Sequence, residues 1–271
     1  MRSSTLVLVI LTMTASATFV YDEVLAKEEA ALSFAAYCPT SSINNWKVGY
    51  VSGNYPDIQN PKVFENIIQG TKGYIAYNPN INYKAITIVF RGSSNIQNWL
   101  DNIQFDKVNY NDACQCQVHK GFLEAFKSLQ PDLDTLFTKY RNMYPNAKIH
   151  VTGHSLGAAM ATLYATQLAI AGNTVQLTTF GLPRVGDEAF YNYFSSFTKL
   201  QHFRVVHEKD AVPHVPPQSF GFNHVDREIW YHRNSYTVCQ LDEDPNCSDS
   251  VLIPSVADHS FYMGWSSSVD C

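Results

Sequence analysis

Hydrophobic positions along the chain fall into short strand-like runs and longer stretches with helical spacing. Segments 63–69, 73–77 and 85–90 alternate or run apolar between turn residues, which predicts β-strands. The same patterns predict three later strands and four helices: strands at 148–152, 175–180 and 202–206, and helices at 22–37 (amphipathic, with an acidic start), 121–141, 156–170 and 187–195. Because strands and helices interleave, we expect an α/β fold with a mostly parallel central sheet and helices on both faces.

The first residues have the pattern of a secretion signal. Arg2 precedes an apolar run at 6–11 that is too short to cross a bilayer, and Ala15 and Ala17 offer a small-residue cleavage site. We expect a signal peptide at 1–17 and one domain at 18–271; the alternative is a buried N-terminal strand. No later run reaches about 18 uninterrupted apolar residues, which predicts a secreted or lumenal protein without an integral membrane span.

Composition narrows the class of protein without identifying it. The hydrophobic fraction is 45% and the charged fraction 16%, which leaves enough apolar side chain for a core and excludes a disordered or coiled-coil chain. The formal net charge is −5, so a basic surface for nucleic acid is not expected. We expect a monomer that needs no cofactor.

Six cysteines agree with an oxidising destination. A zinc site at Cys114, Cys116 and His119 is the alternative, but the spacing is unusual and no second ligand pair follows, so no metal is predicted. Six cysteines allow many pairings, and the sequence alone does not choose among them. Asn246 begins the single Asn-x-Ser/Thr sequon, which is typical of a surface loop in a secreted protein.

A G-x-S-x-G motif spans Gly153 to Gly157, between a predicted strand and an Ala-rich predicted helix. In this setting the serine lies on a strained turn, and the two glycines keep that turn uncrowded. We therefore expect Ser155 Oγ to project into solvent at the helix N-terminus as a nucleophile. There the helix dipole and the backbone N–H of Leu156 can stabilise an oxyanion. The alternative is a chance match in a small-residue turn.

A serine nucleophile needs a histidine base and a carboxylate that orients it, and this motif expects the order serine, acid, histidine. Six histidines follow the motif, and His259 lies near the end of the chain in the sequence Val-Ala-Asp-His-Ser-Phe-Tyr. Asp210 lies just past the predicted strand 202–206, where such sheets carry their chemistry. The residues favour Asp210 with His259 but leave three competing acids open, namely Asp187, Asp226 and Asp258.

Several motifs together resemble the class 3 lipases, the filamentous-fungal triacylglycerol lipases and their relatives. The resemblance covers about residues 25–271. Its motifs occur in the order found in that family: 88–100 (Ile-Val-Phe-Arg-Gly-Ser-Ser-Asn-Ile-Gln-Asn-Trp-Leu), 118–122 (Val-His-Lys-Gly-Phe), 151–157, 179–186 (Thr-Phe-Gly-Leu-Pro-Arg-Val-Gly), 204–217 and 259–264. The resemblance implies that 18–271 is an α/β-hydrolase catalytic domain. It also implies that Ser155 is the nucleophile, Asp210 the acid and His259 the base, with the oxyanion hole at Ser93 and the Leu156 N–H.

The departures from the family concern one disulfide and the acyl pocket. One residue separates Cys114 from Cys116 where some relatives have two, and Ser260 and Phe261 stand where Leu-Trp is frequent. We predict Cys38–Cys271, which would close the largest loop, and Cys239–Cys247, which would close a short loop around the sequon. The pair Cys114–Cys116 then remains by elimination.

Residues 93–110 decide between a lipase and a plain esterase, and the predicted lid helix lies at 94–104. Four apolar residues at i, i+3, i+4 and i+7 form one stripe of a short predicted helix: Ile96, Trp99, Leu100 and Ile103. Periodicity alone favours an ordinary surface helix, but its position directly after the oxyanion serine, which the resemblance implies, favours a lid.

The predicted function is hydrolysis of acylglycerol esters at a lipid–water interface by a secreted triacylglycerol lipase. A related phospholipase A1, galactolipase or feruloyl-type esterase is the alternative. A non-enzymatic lipid binder is disfavoured, because a binder is expected to have lost a member of the triad and all three candidates are present.

Overall fold

The computed structural model of the protein describes residues 20–80, 82–233, 235–266 and 271. Within these residues twelve strands are found: β1 (Gln59–Asn66), β2 (Thr71–Asn78), β3 (Ala85–Phe90), β4 (Lys107–Asn109), β5 (Gln117–His119), β6 (Lys148–His154), β7 (Val175–Phe180), β8 (Leu200–His207), β9 (Glu228–His232), β10 (Ser235–Val238), β11 (Phe261–Tyr262) and β12 (Trp265–Ser266). The α-helices of the same residues are α1 (Glu23–Ala35), α2 (Thr40–Asn44), α3 (Gly49–Asn54), α4 (Ile96–Asn102), α5 (Lys120–Met143), α6 (Leu156–Ile170), α7 (Glu188–Ser195) and α8 (Val256–His259).

Eight of the described strands form one sheet in the order β1-β2-β3-β6-β7-β8-β9-β10. Strands β3, β6, β7, β8 and β9 run parallel, while β1, β2 and β10 pair antiparallel at the two sides. The prediction of an α/β-hydrolase fold with a mostly parallel sheet is confirmed. The carboxyl ends of the parallel strands share one edge, which we call the carboxyl edge, and the candidate catalytic residues lie there.

Helices cover both faces of the sheet because its strands are apolar on both sides. On β3, Ile86 and Ile88 belong to the large core under α5 and α6, whereas Val89 belongs to a second core under α1. Side chains that alternate along one strand thus fill two cores, as expected for a sheet buried on both faces.

The helix predicted at 22–37 is present as α1, but the prediction that it is amphipathic is wrong. From Glu28 to its end nearly every side chain is buried. Burying the two acidic residues requires partners: the Tyr83 hydroxyl donates to Glu28 at 2.7 Å, and His150 Nδ1 lies 3.2 Å from Glu29. The sequence pattern predicted one buried face, whereas the rest of the chain buries nearly all side chains of the helix from Glu28 onwards.

The strand predicted at 63–69 is shifted, since β1 spans Gln59–Asn66. The Asn66 carboxamide accepts the Gln69 N–H at 3.1 Å and begins the turn that ends the strand. Strands β9 and β10 were not predicted. Glu228 at the start of β9 is polar yet buried, because it pairs with the buried Arg204 at 3.1 Å. A strand that contains a buried charged residue is missed when strands are predicted from apolar runs.

Three disulfides join the cysteines in pairs: Cys38 with Cys271, Cys114 with Cys116, and Cys239 with Cys247. These are the three predicted pairs. Oxidation of Cys114 and Cys116 removes the thiolates that a zinc ion would need. His119 is otherwise engaged, because its Nδ1 accepts the Phe122 N–H at the start of α5 at 3.3 Å.

The predicted signal peptide, 1–17, lies outside the described residues. In the part of the chain that the structure describes, no helix combines the length and the apolar character needed to span a membrane.

Candidate active site

Ser155 lies between β6 and α6 with φ 62° and ψ −131°, a backbone conformation that non-glycine residues rarely adopt. The flanking glycines permit this turn. A Cβ on Gly153 would overlap the Gly157 carbonyl, and one on Gly157 would overlap the Phe90 carbonyl oxygen. The motif therefore forms a sharp strand-to-helix elbow packed against β3, as its context predicts.

The expectation that Ser155 Oγ projects into solvent is wrong for this conformation, because Ser155 is fully buried. Helix α4 follows β3 at the same edge of the sheet, and its residue Trp99 shares a cavity lining with Leu156, the neighbour of the serine. Ser155 Oγ and His259 Nε2 are both buried atoms without a hydrogen-bond partner among the described residues. Two buried groups with free hydrogen-bonding capacity match the needs of a nucleophile and its base, since catalytic hydrogen bonds are often formed only when substrate is bound.

His259, at the end of α8, is held by Asp210, just past the end of β8. Its Nδ1 lies 2.8 Å from Asp210 Oδ2 and 3.0 Å from Oδ1, and both residues are buried. A carboxylate only accepts hydrogen bonds, so Nδ1 carries a proton and, in the neutral ring, Nε2 is left as the acceptor. This is the tautomer that a general base beside Ser155 requires.

Asp210 is kept ionised by its surroundings. Burial alone would raise its pKa, but the charge of His259 and the hydrogen bonds that Asp210 accepts hold the pKa below its ordinary value. Besides His259, the donors are the Tyr262 hydroxyl and the Val212 N–H at 2.8 Å. The surroundings of Asp210 therefore favour its anionic form.

The three competing acids are engaged elsewhere. Asp187 caps α7 by accepting the Phe190 N–H at 2.9 Å. Asp258 accepts the Lys209 N–H at 3.2 Å, so it braces the loop that carries Asp210. The carboxylate of Asp226 accepts the N–H of its neighbour Arg227 at 2.7 Å. Among the described residues, His259 is hydrogen-bonded to Asp210 and to none of these three.

A second hydrogen-bonded chain, which the sequence analysis missed, connects three segments of the site. His154 Nε2 lies 2.8 Å from the His259 carbonyl oxygen, and its Nδ1 lies 2.8 Å from the Tyr37 hydroxyl. Burial, and then the neighbouring His259, lower the pKa of His154 to about 3, so its ring is neutral. Since the carbonyl can only accept, Nε2 donates, Nδ1 accepts, and the Tyr37 hydroxyl must donate. The backbone N–H of Gly92 bonds to the same phenolic oxygen.

This chain links the oxyanion loop at Gly92, the elbow and the His259 segment. His154 lies inside the motif, but its hydrogen bonds to Tyr37 and to the His259 carbonyl cannot be predicted without knowing which residues contact it in the fold. Tyr37 is more than a hundred residues away along the chain.

We expect Tyr37→Phe to lower kcat on a soluble short-chain ester several-fold with little change in KM. The variant leaves His154 Nδ1 and the Gly92 N–H without their shared partner, which costs about 1–3 kcal/mol of unfolding free energy and loosens the base. Steady-state kinetics and urea unfolding measure the two effects. Tyr50→Phe, at a hydroxyl on an exposed side chain, is the matched control. Equal kinetics for both variants would show that the chain does not position His259.

The predicted oxyanion residues flank the elbow. Leu156 is the first residue of α6, and the first N–H groups of a helix have no intrahelical acceptor. Ser93 follows β3 and is half-buried. Its hydroxyl donates to the Asn95 carbonyl at 3.1 Å and accepts the Asn95 N–H at 3.3 Å, so in this conformation it contacts the start of α4.

The predicted lid helix is shorter than 94–104. Helix α4 spans Ile96–Asn102, is capped by the Asn95 side chain, and leaves Ile103 in an extended conformation beyond its end. The four predicted stripe residues are nevertheless half-buried, whereas the polar residues of the helix are exposed: Gln97, Asn98, Asp101 and Asn102. Trp99 lies against Phe122 with ring centroids 6.2 Å apart. Both residues line a cavity of about 350 Å³ beside Leu156.

Comparisons with known proteins place the chain in a family. The sequence pattern of the class 3 lipases matches residues 87–220. The lipase of Rhizomucor miehei is 40% identical over 218 residues, which cover 77% of this chain and 59% of that protein. Secreted mono- and diacylglycerol lipase 1 of Fusarium solani is 34% identical over 226 residues, covering 82% of this chain and 66% of that protein.

A solved triacylglycerol lipase whose catalytic centre is a serine protease triad superposes with a TM-score of 0.82 at 36% identity, covering 90% of this chain and 94% of that one. The chain therefore belongs to the class 3 lipase family. It spans 59% to 66% of the length of the two curated relatives.

Proposed function

We propose that the protein is a serine esterase that hydrolyses acylglycerol ester bonds at a lipid–water interface. The observation that carries this proposal concerns two atoms at the carboxyl edge, beside a helix with an apolar stripe. Ser155 Oγ and His259 Nε2 are both buried and have no hydrogen-bond partner within the described part of the chain. Its kinship with lipases supports the same reaction.

In the proposed mechanism Ser155 Oγ attacks the ester carbonyl while His259 Nε2 takes its proton, and Asp210 stabilises the imidazolium. The Leu156 N–H and Ser93 stabilise the oxyanion of the tetrahedral intermediate. That intermediate collapses to an acyl-enzyme as His259 donates its proton to the leaving alcohol. Water, deprotonated by His259, then attacks the acyl-enzyme, and the fatty acid leaves as Ser155 regains its proton.

The proposed lid is α4. Opening it in water would expose the stripe at roughly 25 cal/mol per Å², so a few hundred Å² would hold it shut by several kcal/mol. A lipid surface that receives Trp99 and its neighbours removes that cost, so the open form becomes populated there.

The substrate class is tested by comparing emulsified triacylglycerol, phosphatidylcholine and methyl ferulate side by side. We expect the highest rate on triacylglycerol, because the stripe of α4 is apolar and Trp99, Phe122 and Leu156 supply apolar surface to the cavity. Asp106, Lys120 and Glu124 also line this cavity, so the comparison with phosphatidylcholine tests whether these charges accept a headgroup. A highest rate on phosphatidylcholine or methyl ferulate would favour the phospholipase or feruloyl-type alternative. No turnover of any ester would favour a binder.

Trp99→Ser is expected to reduce hydrolysis of emulsified long-chain ester by about tenfold or more, and that of a soluble short-chain ester far less. Trp99 is the largest side chain of the stripe, so its loss weakens contact between the open lid and lipid. Rates are measured across the solubility limit of the substrate, with Gln97→Ser on the exposed face of α4 as the control. Equal losses on both substrates, without a rise at the interface in the unchanged protein, would mean that α4 is no lid.

We also propose that residues 1–17 are a secretion signal and that 18–271 form one catalytic domain. The apolar run and small-residue cleavage site support secretion, and so do three disulfides. A relative named as a secreted lipase points the same way.

A further inference from the structure

Two adjacent pairs of large aliphatic side chains are almost completely exposed. Ile67 is 86% and Ile68 97% exposed, and Leu252 is 95% and Ile253 81% exposed. We call these four residues the rim pairs. Single exposed aliphatic residues are ordinary, but two uncovered pairs on one side of a molecule indicate an interaction surface.

The first rim pair stands at the carboxyl edge of the sheet. Ile67 and Ile68 lie in the turn between β1 and β2, and β2 begins opposite the end of β3, with Gly73 facing Phe90. The Arg91 side chain donates to the Gly70 carbonyl, so the turn lies beside the loop that leads to Ser93 and α4.

The second rim pair stands at the same edge on the other side of the nucleophile. Leu252 and Ile253 lead into Ser255, whose N–H donates to the Lys209 carbonyl at 2.6 Å and whose carbonyl accepts the Ala211 N–H at 3.2 Å. They are therefore fixed to the loop that carries the candidate acid and follows β8. Because β6, which leads into the elbow, lies between β3 and β8 in the sheet, one rim pair lies on each side of the elbow. From the spacing of neighbouring strands, the two pairs are roughly 20 Å apart across the sheet.

The turn that carries the first pair does not depend on its isoleucines. Its conformation is set by Asn66, which accepts the Gln69 N–H, and by Gly70 with φ 66°. Branched aliphatic residues are disfavoured at such positions compared with Gly, Asn, Asp or Ser. Their presence at full exposure therefore favours a role outside folding, and their replacement should leave the fold unchanged.

The charges near the rim pairs indicate which kind of surface these residues would bind. Segments 66–71, 92–100 and 250–257 contain no Asp, Glu, Lys or Arg. The whole protein carries a formal charge of −5, which repels anionic surfaces. The charged residues that border the rim pairs are of both signs, with Arg91 and Lys209 on one hand and Asp249 and Asp258 on the other. Apolar rim pairs without an excess of basic residues, on a protein of net negative charge, fit a neutral or zwitterionic lipid surface.

We infer that Ile67, Ile68, Leu252 and Ile253 are fixed anchors that dock the protein on a neutral lipid–water surface with the carboxyl edge facing it. They are exposed while α4 is closed, so docking needs no conformational change and precedes lid opening. That this docking presents an active site to lipid esters rests on the proposed function; the docking itself does not.

The test measures binding of the full chain to vesicles of a dialkyl ether phosphatidylcholine, which has no ester to hydrolyse. We expect Ile67→Ser/Ile68→Ser and Leu252→Ser/Ile253→Ser each to lower the partition coefficient by roughly tenfold or more. The matched control is Val24→Ser/Ile170→Ser, since these exposed aliphatic residues lie toward the opposite edge of the sheet. The control is expected to bind like the unchanged protein.

Unaltered binding of either rim variant, or an equal loss in the control, would overturn the proposal. So would binding that appears only when an anionic ether lipid is added. Sedimentation distinguishes a second copy of the chain: a dimer lost in the rim variants, without an effect on vesicles, would contradict docking on lipid. Turnover of a soluble short-chain ester, measured in parallel, reports the proposed esterase activity and is expected to be unchanged in the rim variants. Failure of docking and failure of the esterase hypothesis are thus separate results.

Discussion

Ser155→Ala is expected to abolish ester hydrolysis, lowering kcat by about 10⁶-fold, while the protein remains folded. The hydroxyl is the proposed nucleophile, and without it His259 has no proton to take. Ser155 Oγ has no hydrogen-bond partner among the residues that the structure describes, so alanine removes none of the hydrogen bonds seen there. Alanine also needs no more room and keeps the same positive φ as serine.

Turnover of a soluble short-chain ester measures this effect without the complication of the lid, and thermal unfolding checks that the variant is native. A folded Ser155→Ala protein that retained more than a few per cent of the activity would place the chemistry on another residue. Inactivation together with a much lower melting temperature would point instead to a structural role for the elbow.

The sheet and its elbow were predictable because their signals are local. Strands β3 and β7 and helix α6 have the predicted bounds. β3 is an apolar run, β7 (Val-Gln-Leu-Thr-Thr-Phe) alternates apolar and polar residues at its start, and α6 is Ala-rich. Ser155 was found from the residues within a few positions of it. Such patterns need no knowledge of what packs against them.

The surroundings of the site were not predictable, because they depend on segments far apart in the chain. The burial of α1 depends on side chains of β2 and β3 in one core cluster and of β7, β8 and β9 in another. The Tyr37 to His154 bond joins residues 117 positions apart. Ser155 is also buried, although the sequence analysis predicted that its hydroxyl projects into solvent. Interleaved strands predict a parallel sheet but not which side chains meet across it.

The choice of the acid shows what the order of residues predicts and what only the folded structure decides. Position after a strand favoured Asp210, and adjacency to His259 counted against Asp258, yet the residues alone left Asp258 open. Within the fold, the Asp258 carboxylate accepts the Lys209 N–H instead of contacting the imidazole. Which of two nearby acids faces a histidine depends on backbone geometry that residue order does not encode.

Asp210→Asn and His259→Ala are therefore both expected to cripple turnover, whereas Asp258→Asn should have a far smaller effect. An amide in place of Asp210 keeps the shape of the site but loses the charge that stabilises the imidazolium. It can also favour the wrong histidine tautomer, and this kind of change costs about 10⁴-fold in kcat. In Asp258→Asn the amide oxygen can still accept the Lys209 N–H, so kcat should stay within a few-fold of the unchanged protein.

The two acid variants are compared by kcat on the soluble ester and by melting temperature. Both variants replace a carboxylate with an amide. The Lys209 N–H bond to Asp258 joins the loop that carries Asp210 to the segment that carries Asp258, so a general loss of order there would lower kcat in both variants. A larger loss of kcat in Asp258→Asn than in Asp210→Asn would show that the hydrogen bond from His259 Nδ1 to Asp210, at 2.8 Å, is not the one that orients the base.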